Sequence, residues 1–144
     1  MFVMPVHPRV LQTVLDAEDP RALAEFYRRL LGLAYRPGDE ASAEGPDDAD
    51  WLVLVDADGR RVLAFQGVDR LEPSTWPRHD IPQQLHLDTV VGSRDELAAV
   101  MGLALSLGAE HLLDRSDDPD EPLHVLQDPA GHPFCVFVSD AVGD

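Results

Sequence analysis

His86 and Asp88 stand two residues apart in the run Gln83–Val91 (QQLHLDTVV), where polar and apolar residues alternate. That alternation predicts a strand, and side chains two positions apart on a strand share a face. Leu85, Leu87 and Thr89 then point one way, and Gln84, His86, Asp88 and Val90 the other. An imidazole beside a carboxylate suits three tasks: general acid–base chemistry, metal ligation through a neutral ring nitrogen, or plain positioning of the ring by a hydrogen bond. His86 and Asp88 are therefore the candidate catalytic residues, with a structural hydrogen bond as the bland alternative. Cys135 is the single cysteine. It sits in a strand-like run with Phe134, Val136 and Phe137, where a thiol reads as a small buried core residue more readily than as a ligand. His7, His79, His111, His124 and His132 fall in expected loops or near strand ends without ligand spacing, which points to surface or supporting roles. No Ser-His-Asp order, phosphate-binding loop or GxGxxG pattern stands out.

The elements that position these residues can be followed along the chain. Val10–Asp16 (VLQTVLD) alternates and predicts a strand carrying Gln12. Asp19 then reads as a helix N-cap with Pro20 at the first helical position. Leu23, Phe26, Tyr27, Leu30 and Leu31 recur at helical spacing until Gly32. A short strand is expected at Leu33–Arg36. The stretch 37–50, with two glycines, two prolines and six acids, reads as a solvated loop. Trp51–Val55 and Arg61–Gln66 read as strands joined by the turn Asp56-Ala-Asp-Gly59. Pro73, Trp76, Pro77 and Pro82 make residues 67–83 a crossing linker that sustains neither helix nor ladder.

Beyond the linker the pattern starts again. The strand of His86 is followed by a capping-box pair, Ser93 and Glu96, and by a helix with Leu97, Val100, Met101 and Ala104 on one stripe, ending by Gly108. Glu110–Leu113, Leu123–Gln127 and Phe134–Val138 read as strands, the last two around Asp128-Pro-Ala-Gly131. The order is βαβββ twice, over residues of about 9–66 and 84–139. Gln12 aligns with His86, Gly32 with Gly108 and Gly59 with Gly131, at offsets of 74, 76 and 72. A repeat of this kind lets two one-sided sheets cover one another, so a single α+β domain spanning residues 1–144 is expected.

Composition excludes several partners. Eleven basic against 27 acidic residues in a chain of 144 leave a net charge of −16, which repels nucleic acid and anionic lipid. No apolar run approaches the roughly 20 residues of a membrane span, and the start MFVMPVHPRV has no signal-peptide core. A cytoplasmic location is expected. One cysteine rules out an internal disulfide and a multi-cysteine metal site.

The motifs LDAEDPRALAEFYRRLLGL, VLAFQ, PSTWP, PQQLHLDTVV and LQDPAGHPFCVFV resemble the vicinal oxygen chelate superfamily, in its small glyoxalase-like branch. The superfamily includes glyoxalases, bleomycin-resistance proteins and extradiol dioxygenases, and the resemblance covers nearly the whole chain. It implies two βαβββ modules forming an incomplete, barrel-like curved sheet around a cleft, commonly as a homodimer. Metal-using relatives take one ligand from the first and one from the last strand of each module. Those positions are Gln12, Leu63 (or Ala64), His86 and Cys135 here. Leu63 and Ala64 cannot ligate, Gln12 could offer a carbonyl oxygen, and Cys135 stands where a glutamate is usual and would favour softer ions.

The resemblance therefore implies a small organic ligand held in the cleft, with His86, Gln12, Trp51, Phe65 and Trp76 as candidate contacts, and an incomplete site for a divalent ion such as Zn, Ni, Mn or Fe. The alternative is a metal-dependent lyase, isomerase or dioxygenase acting on a small oxygenated substrate. A fold shared by many reactions does not choose between them.

Overall fold

The computed structural model describes residues 4–139. Helix α1 (Pro20–Leu31) follows strand β1 (Thr13–Ala17), and its ends form as the residues dictate. Asp19 accepts a hydrogen bond from the Ala22 amide at 3.1 Å, a cap that stabilises a helix by about 1 kcal/mol. Gly32 closes the other end in the left-handed conformation, φ 68°. Three strands follow, β2 (Ala34–Tyr35), β3 (Trp51–Val55) and β4 (Arg61–Gly67). The second module repeats the plan with β5 (Leu87–Val91), α2 (Arg94–Ser106), β6 (Glu110–Arg115), β7 (Leu123–Gln127) and β8 (Pro133–Val138). Ser93 caps α2 through the Glu96 amide at 3.1 Å, and the Glu96 carboxylate reaches back to the Gly92 amide at 2.7 Å, one residue beyond the usual capping-box partner.

Both sheets are mixed and four-stranded, in the order β1-β4-β3-β2 and β5-β8-β7-β6. In each, the first and last strands of the module run parallel and the rest antiparallel. Among the described residues no ladder joins the two sheets, so they do not close into a barrel.

The predicted strand bounds need correction in two places that matter. Neither Val10–Asp16 nor Gln83–Val91 is strand throughout. β1 starts at Thr13 and β5 at Leu87, so Gln12 and His86 each immediately precede their strand. At Gln84 the backbone adopts φ 64°, and the Leu85 amide donates to the Gln83 carbonyl at 2.6 Å. A three-residue turn of this kind breaks a ladder outright. Leu33 and Arg36 likewise fall outside β2, while β6 runs two residues further than expected, to Arg115.

The main apolar core lies beneath the helices, and Val53, Val55 and Ala64 form a smaller buried cluster on the other face of the first sheet. Leu15, Leu52, Leu54, Leu63 and Phe65 from the first sheet meet Leu23, Phe26 and Tyr27 of α1, and Leu126, Phe134 and Val136 of the second sheet meet Leu97, Met101 and Ala104 of α2. The rings of Phe26 and Tyr27 lie edge-on to Phe134 at 5.8 and 6.0 Å, which carries the first module's helix onto the second module's last strand. The Tyr27 hydroxyl donates to Asp128 at 2.6 Å across 101 residues of chain, fully within this core. Burial pushes the Asp128 carboxyl up, with the Tyr27 hydrogen bond pulling it down less strongly, and burial pushes the Tyr27 phenol up as well.

Candidate functional site

Register decides which residues face away from the helices. Thr13 pairs with Leu63, Val14 with Ala64 and Leu15 with Phe65. Leu63 and Phe65 belong to the core under α1, so Val14 and Ala64 point to the opposite, open side, where Val14 is exposed and Ala64 is itself buried among Val53 and Val55. In the second sheet Leu87 pairs with Phe134 and Asp88 with Cys135, and the same logic puts Asp88, Val90 and Cys135 on the open side.

The open side of the second module brings His86, Asp88 and Cys135 together. His86 Nε2 lies 3.2 Å from Asp88 Oδ1, and one donor atom from each of the three residues falls within 4.8 Å of the others. Cys135 is half-buried; burial first, and the Asp88 carboxylate beside it second, push its thiol up to about 11. It is a neutral thiol at physiological pH, able to donate weakly toward Asp88. The Thr89 hydroxyl donates to the Cys135 carbonyl at 2.8 Å and ties β5 to β8 at this point.

The quasi-equivalent positions in the first module are Gln12, Val14 and Ala64, at which only Gln12 carries a polar side chain. Gln12 Oε1 is buried and has no hydrogen-bond partner among the described residues. An orphan acceptor of that kind costs about 1–3 kcal/mol unless something satisfies it.

Two expectations from the sequence change here. Leu63 is not at the fourth-strand position that faces the open side; Ala64 is, and it offers no donor atom. Phe65 is 0% exposed and stacks on Tyr27 with ring centroids 6.1 Å apart, so it presents no surface to a bound molecule. A single-residue slip in register turns a strand over, and the sequence left that slip open. Trp51, 39% exposed, lies opposite Gln66 on the open side. Trp76 belongs to the linker, beside the cis bond to Pro77. Between β1 and the linker lies a cavity of about 200 Å³, lined by Val14, Asp16, Leu71, Gln83, Leu85 and His132 among others.

The sequence reading missed one cluster. His111, Asp114 and His124 meet across the β6–β7 hairpin, with His111 Nε2 3.0 Å from His124 Nδ1 and His124 Nδ1 3.7 Å from Asp114 Oδ1. Asp114 pairs with His124, and the register shifts between His111 and Leu113. Both strands were visible in sequence, but the bulge that brings His111 diagonally over His124 carries no signature there.

Residues 12–137 match the glyoxalase-like domain family. The chain belongs to that family. Its glyoxalase-like fold, with two βαβββ modules and unclosed sheets, is also seen in solved structures of low sequence identity. A glyoxalase/bleomycin resistance protein/dioxygenase family enzyme from Burkholderia phytofirmans PsJN is 14% identical and superposes with a TM-score of 0.61, covering 89% of this chain and 96% of that one. For a lactoylglutathione lyase from Agrobacterium tumefaciens the values are 18%, 0.58, 94% and 97%. A fosfomycin resistance protein from Mesorhizobium loti gives 9%, 0.62, 95% and 96%. At these identities the likeness establishes the glyoxalase-like fold. No curated protein matches the chain in sequence. No helix among the described residues is long and apolar enough to cross a membrane.

Proposed function

We propose that this glyoxalase-like domain binds a small organic molecule on the open side of its sheets, with His86 and Asp88 as the polar anchor. The observation that carries the reading is the convergence of His86, Asp88 and Cys135 beside an apolar surface. Val14, Trp51 and Val90 remain 37%, 39% and 40% exposed there, the mix of apolar wall and few polar groups that small-molecule sites use. Gln12 supplies the first module's contact, its orphan carbonyl oxygen accepting from the ligand. The net charge of −16 favours a cationic occupant, and the exposed Trp51 and valines an aromatic one.

The donor set of the second module supports a second reading. An imidazole, a carboxylate and a thiol within 4.8 Å suit zinc, whereas magnesium or manganese would want oxygen donors that Ala64 does not provide. A zinc ion held by His86, Asp88 and Cys135 would supply Lewis-acid polarisation of neighbouring substrate oxygens, as a lyase or isomerase requires, whereas a dioxygenase would need a redox-active ion such as iron. Binding would take the Cys135 proton, which burial makes costly to remove.

The two readings part on metal content. Protein purified without chelators or affinity tag is expected to carry less than one equivalent of metal at this cluster. Acridine orange, a planar aromatic cation, is expected to quench Trp51, and His86→Ala should weaken that binding about tenfold by removing one hydrogen bond to a charged group. Stoichiometric metal that disappears on His86→Ala substitution would overturn the metal-free reading in favour of the enzyme.

A homodimer completes the proposal. The edge strands of both sheets are surfaces that a second copy would cover. Light scattering at micromolar concentration is expected to give twice the 15.8 kDa chain mass; a monomer mass removes the dimer.

A further inference from the structure

We infer that His111, Asp114 and His124 form a second divalent-metal site, on the helix-bearing side of the second sheet, selective for zinc and its late first-row neighbours. This site is separate from the open-side cluster. His124 pairs with Val136, a residue of the core beneath α2, whereas Cys135 points to the opposite side.

The geometry is that of a coordination shell drawn slightly loose. Zinc binds imidazole nitrogen and carboxylate oxygen at about 2.0–2.2 Å, so adjacent ligand atoms of a tetrahedral shell lie about 3.3–3.5 Å apart. Two edges of the cluster, 3.0 Å between the ring nitrogens and 3.7 Å from His124 to Asp114, bracket that spacing. All three donor atoms fall within 4.8 Å of one another. The Leu113 carbonyl oxygen stands 3.1 Å from the same His111 Nε2, so an oxygen donor is close by for a fourth position, with water as the alternative.

Each ligand is held before any ion arrives. His124 is 8% exposed, fixed in β7 against the core. Both Ser116 bonds to Asp114, from the amide at 2.8 Å and the hydroxyl at 2.6 Å, fall on Oδ1, the oxygen that faces His124; they fix where the carboxylate stands, and the hydroxyl bond is the one an ion would displace. His111 stands exposed on the edge strand, leaving the site open to solvent and to an incoming ion. Two imidazoles and one carboxylate select zinc, cobalt, nickel or copper over magnesium and calcium, which prefer all-oxygen shells. An ion bound there would pin β6 to β7 and brace the outer edge of the sheet.

Cobalt(II) distinguishes this site from the open-side cluster, because cobalt bound to a thiolate shows a near-ultraviolet charge-transfer band and cobalt bound to nitrogen and oxygen alone does not. Titration of the full chain with cobalt(II), followed by zinc competition, is expected to give visible d–d bands at one equivalent without the thiolate band. His111→Ala and Asp114→Asn, both at exposed positions, should each weaken binding at least about tenfold, in the range seen when ligand-shell groups are lost. Cys135→Ser and His86→Ala should leave it unchanged. A thiolate band lost in Cys135→Ser, with binding intact in His111→Ala, would overturn the site, as would the absence of any cobalt spectrum. Neither result depends on whether acridine orange binds the open side.

Discussion

Asp128→Ala should destabilise the protein by about 4 kcal/mol, because one buried carboxylate serves four donors. Its Oδ2 accepts from the Tyr27 hydroxyl, and its Oδ1 from the amides of Ala130, Gly131 and His132 at 2.9, 3.0 and 3.0 Å. Alanine leaves the hydroxyl and the Ala130 and His132 amides without an acceptor, at a site 3% exposed, while the Gly131 amide keeps the Asp128 carbonyl at 3.0 Å. Asp128→Asn keeps one oxygen for the amides and should cost less. The two variants also separate in pH dependence. Burial raises the Asp128 carboxyl above its ordinary value, so the folded state favours the protonated form. The contribution of this group is fully present below the unfolded value of about 3.9 and falls as pH rises through the folded one. Asparagine, with no proton to lose, removes that dependence. Urea unfolding of the three proteins from pH 4 to pH 8 measures both effects; an alanine variant within 1 kcal/mol of the parent would show that water replaces the carboxylate at little cost.

Gly131→Ala should cost about 3–5 kcal/mol, while Gly59→Ala, at the equivalent turn of the first module, should cost about 1–2. Both glycines have positive φ, 81° at Gly59 and 102° at Gly131, so both variants meet the same backbone strain. They differ in what surrounds them. Around Gly59 nothing lies within 4 Å of an added Cβ, whereas at Gly131 that atom would sit 2.6 Å from Pro73 Cβ and 2.7 Å from Pro73 Cα. The linker is docked on this turn, with the Ser74 amide donating to the Gly131 carbonyl at 3.2 Å and the Gln127 side chain to the same oxygen at 3.1 Å. Alanine must push the linker away. Denaturant midpoints that fall equally in the two variants would show that the linker yields without cost.

The comparison of these twin glycines shows how far sequence reasoning reaches. Turns at both places followed from Asp and Gly at hairpin spacing, and the caps at Asp19, Gly32 and Ser93 followed from residue type. These are local effects, readable wherever a side chain acts on its own backbone. The contact of Gly131 with Pro73 is not local, and nothing in the turn distinguishes it from Gly59. The site follows the same division. That His86 and Asp88 share a face was legible from alternation, since the salt-bridge distance of 3.2 Å brings them together although His86 precedes the strand. That Phe65 turns inward and Ala64 outward depended on a one-residue register set by the β1–β4 ladder. The pairing of His111 with His124 depended on a bulge, which a period-two pattern cannot reveal.

Among the described residues the two sheets share no ladder, and this has a mechanical meaning. Sliding one module against the other breaks no strand pairing. The joint includes the Phe26, Tyr27 and Phe134 rings, within a core that both modules share, and two attachments, Tyr27 to Asp128 at 2.6 Å and the His132 ring to the Asp16 carbonyl at 2.7 Å. It resists separation, which would wet the rings and strip Asp128 of a partner, yet packed side chains accommodate shear of about 1–2 Å by small rotamer changes. The molecule is thus two stiff plates on an aromatic bearing. The plates preserve each module's own register, and the bearing sets how far their open sides can be displaced to meet occupants of different size.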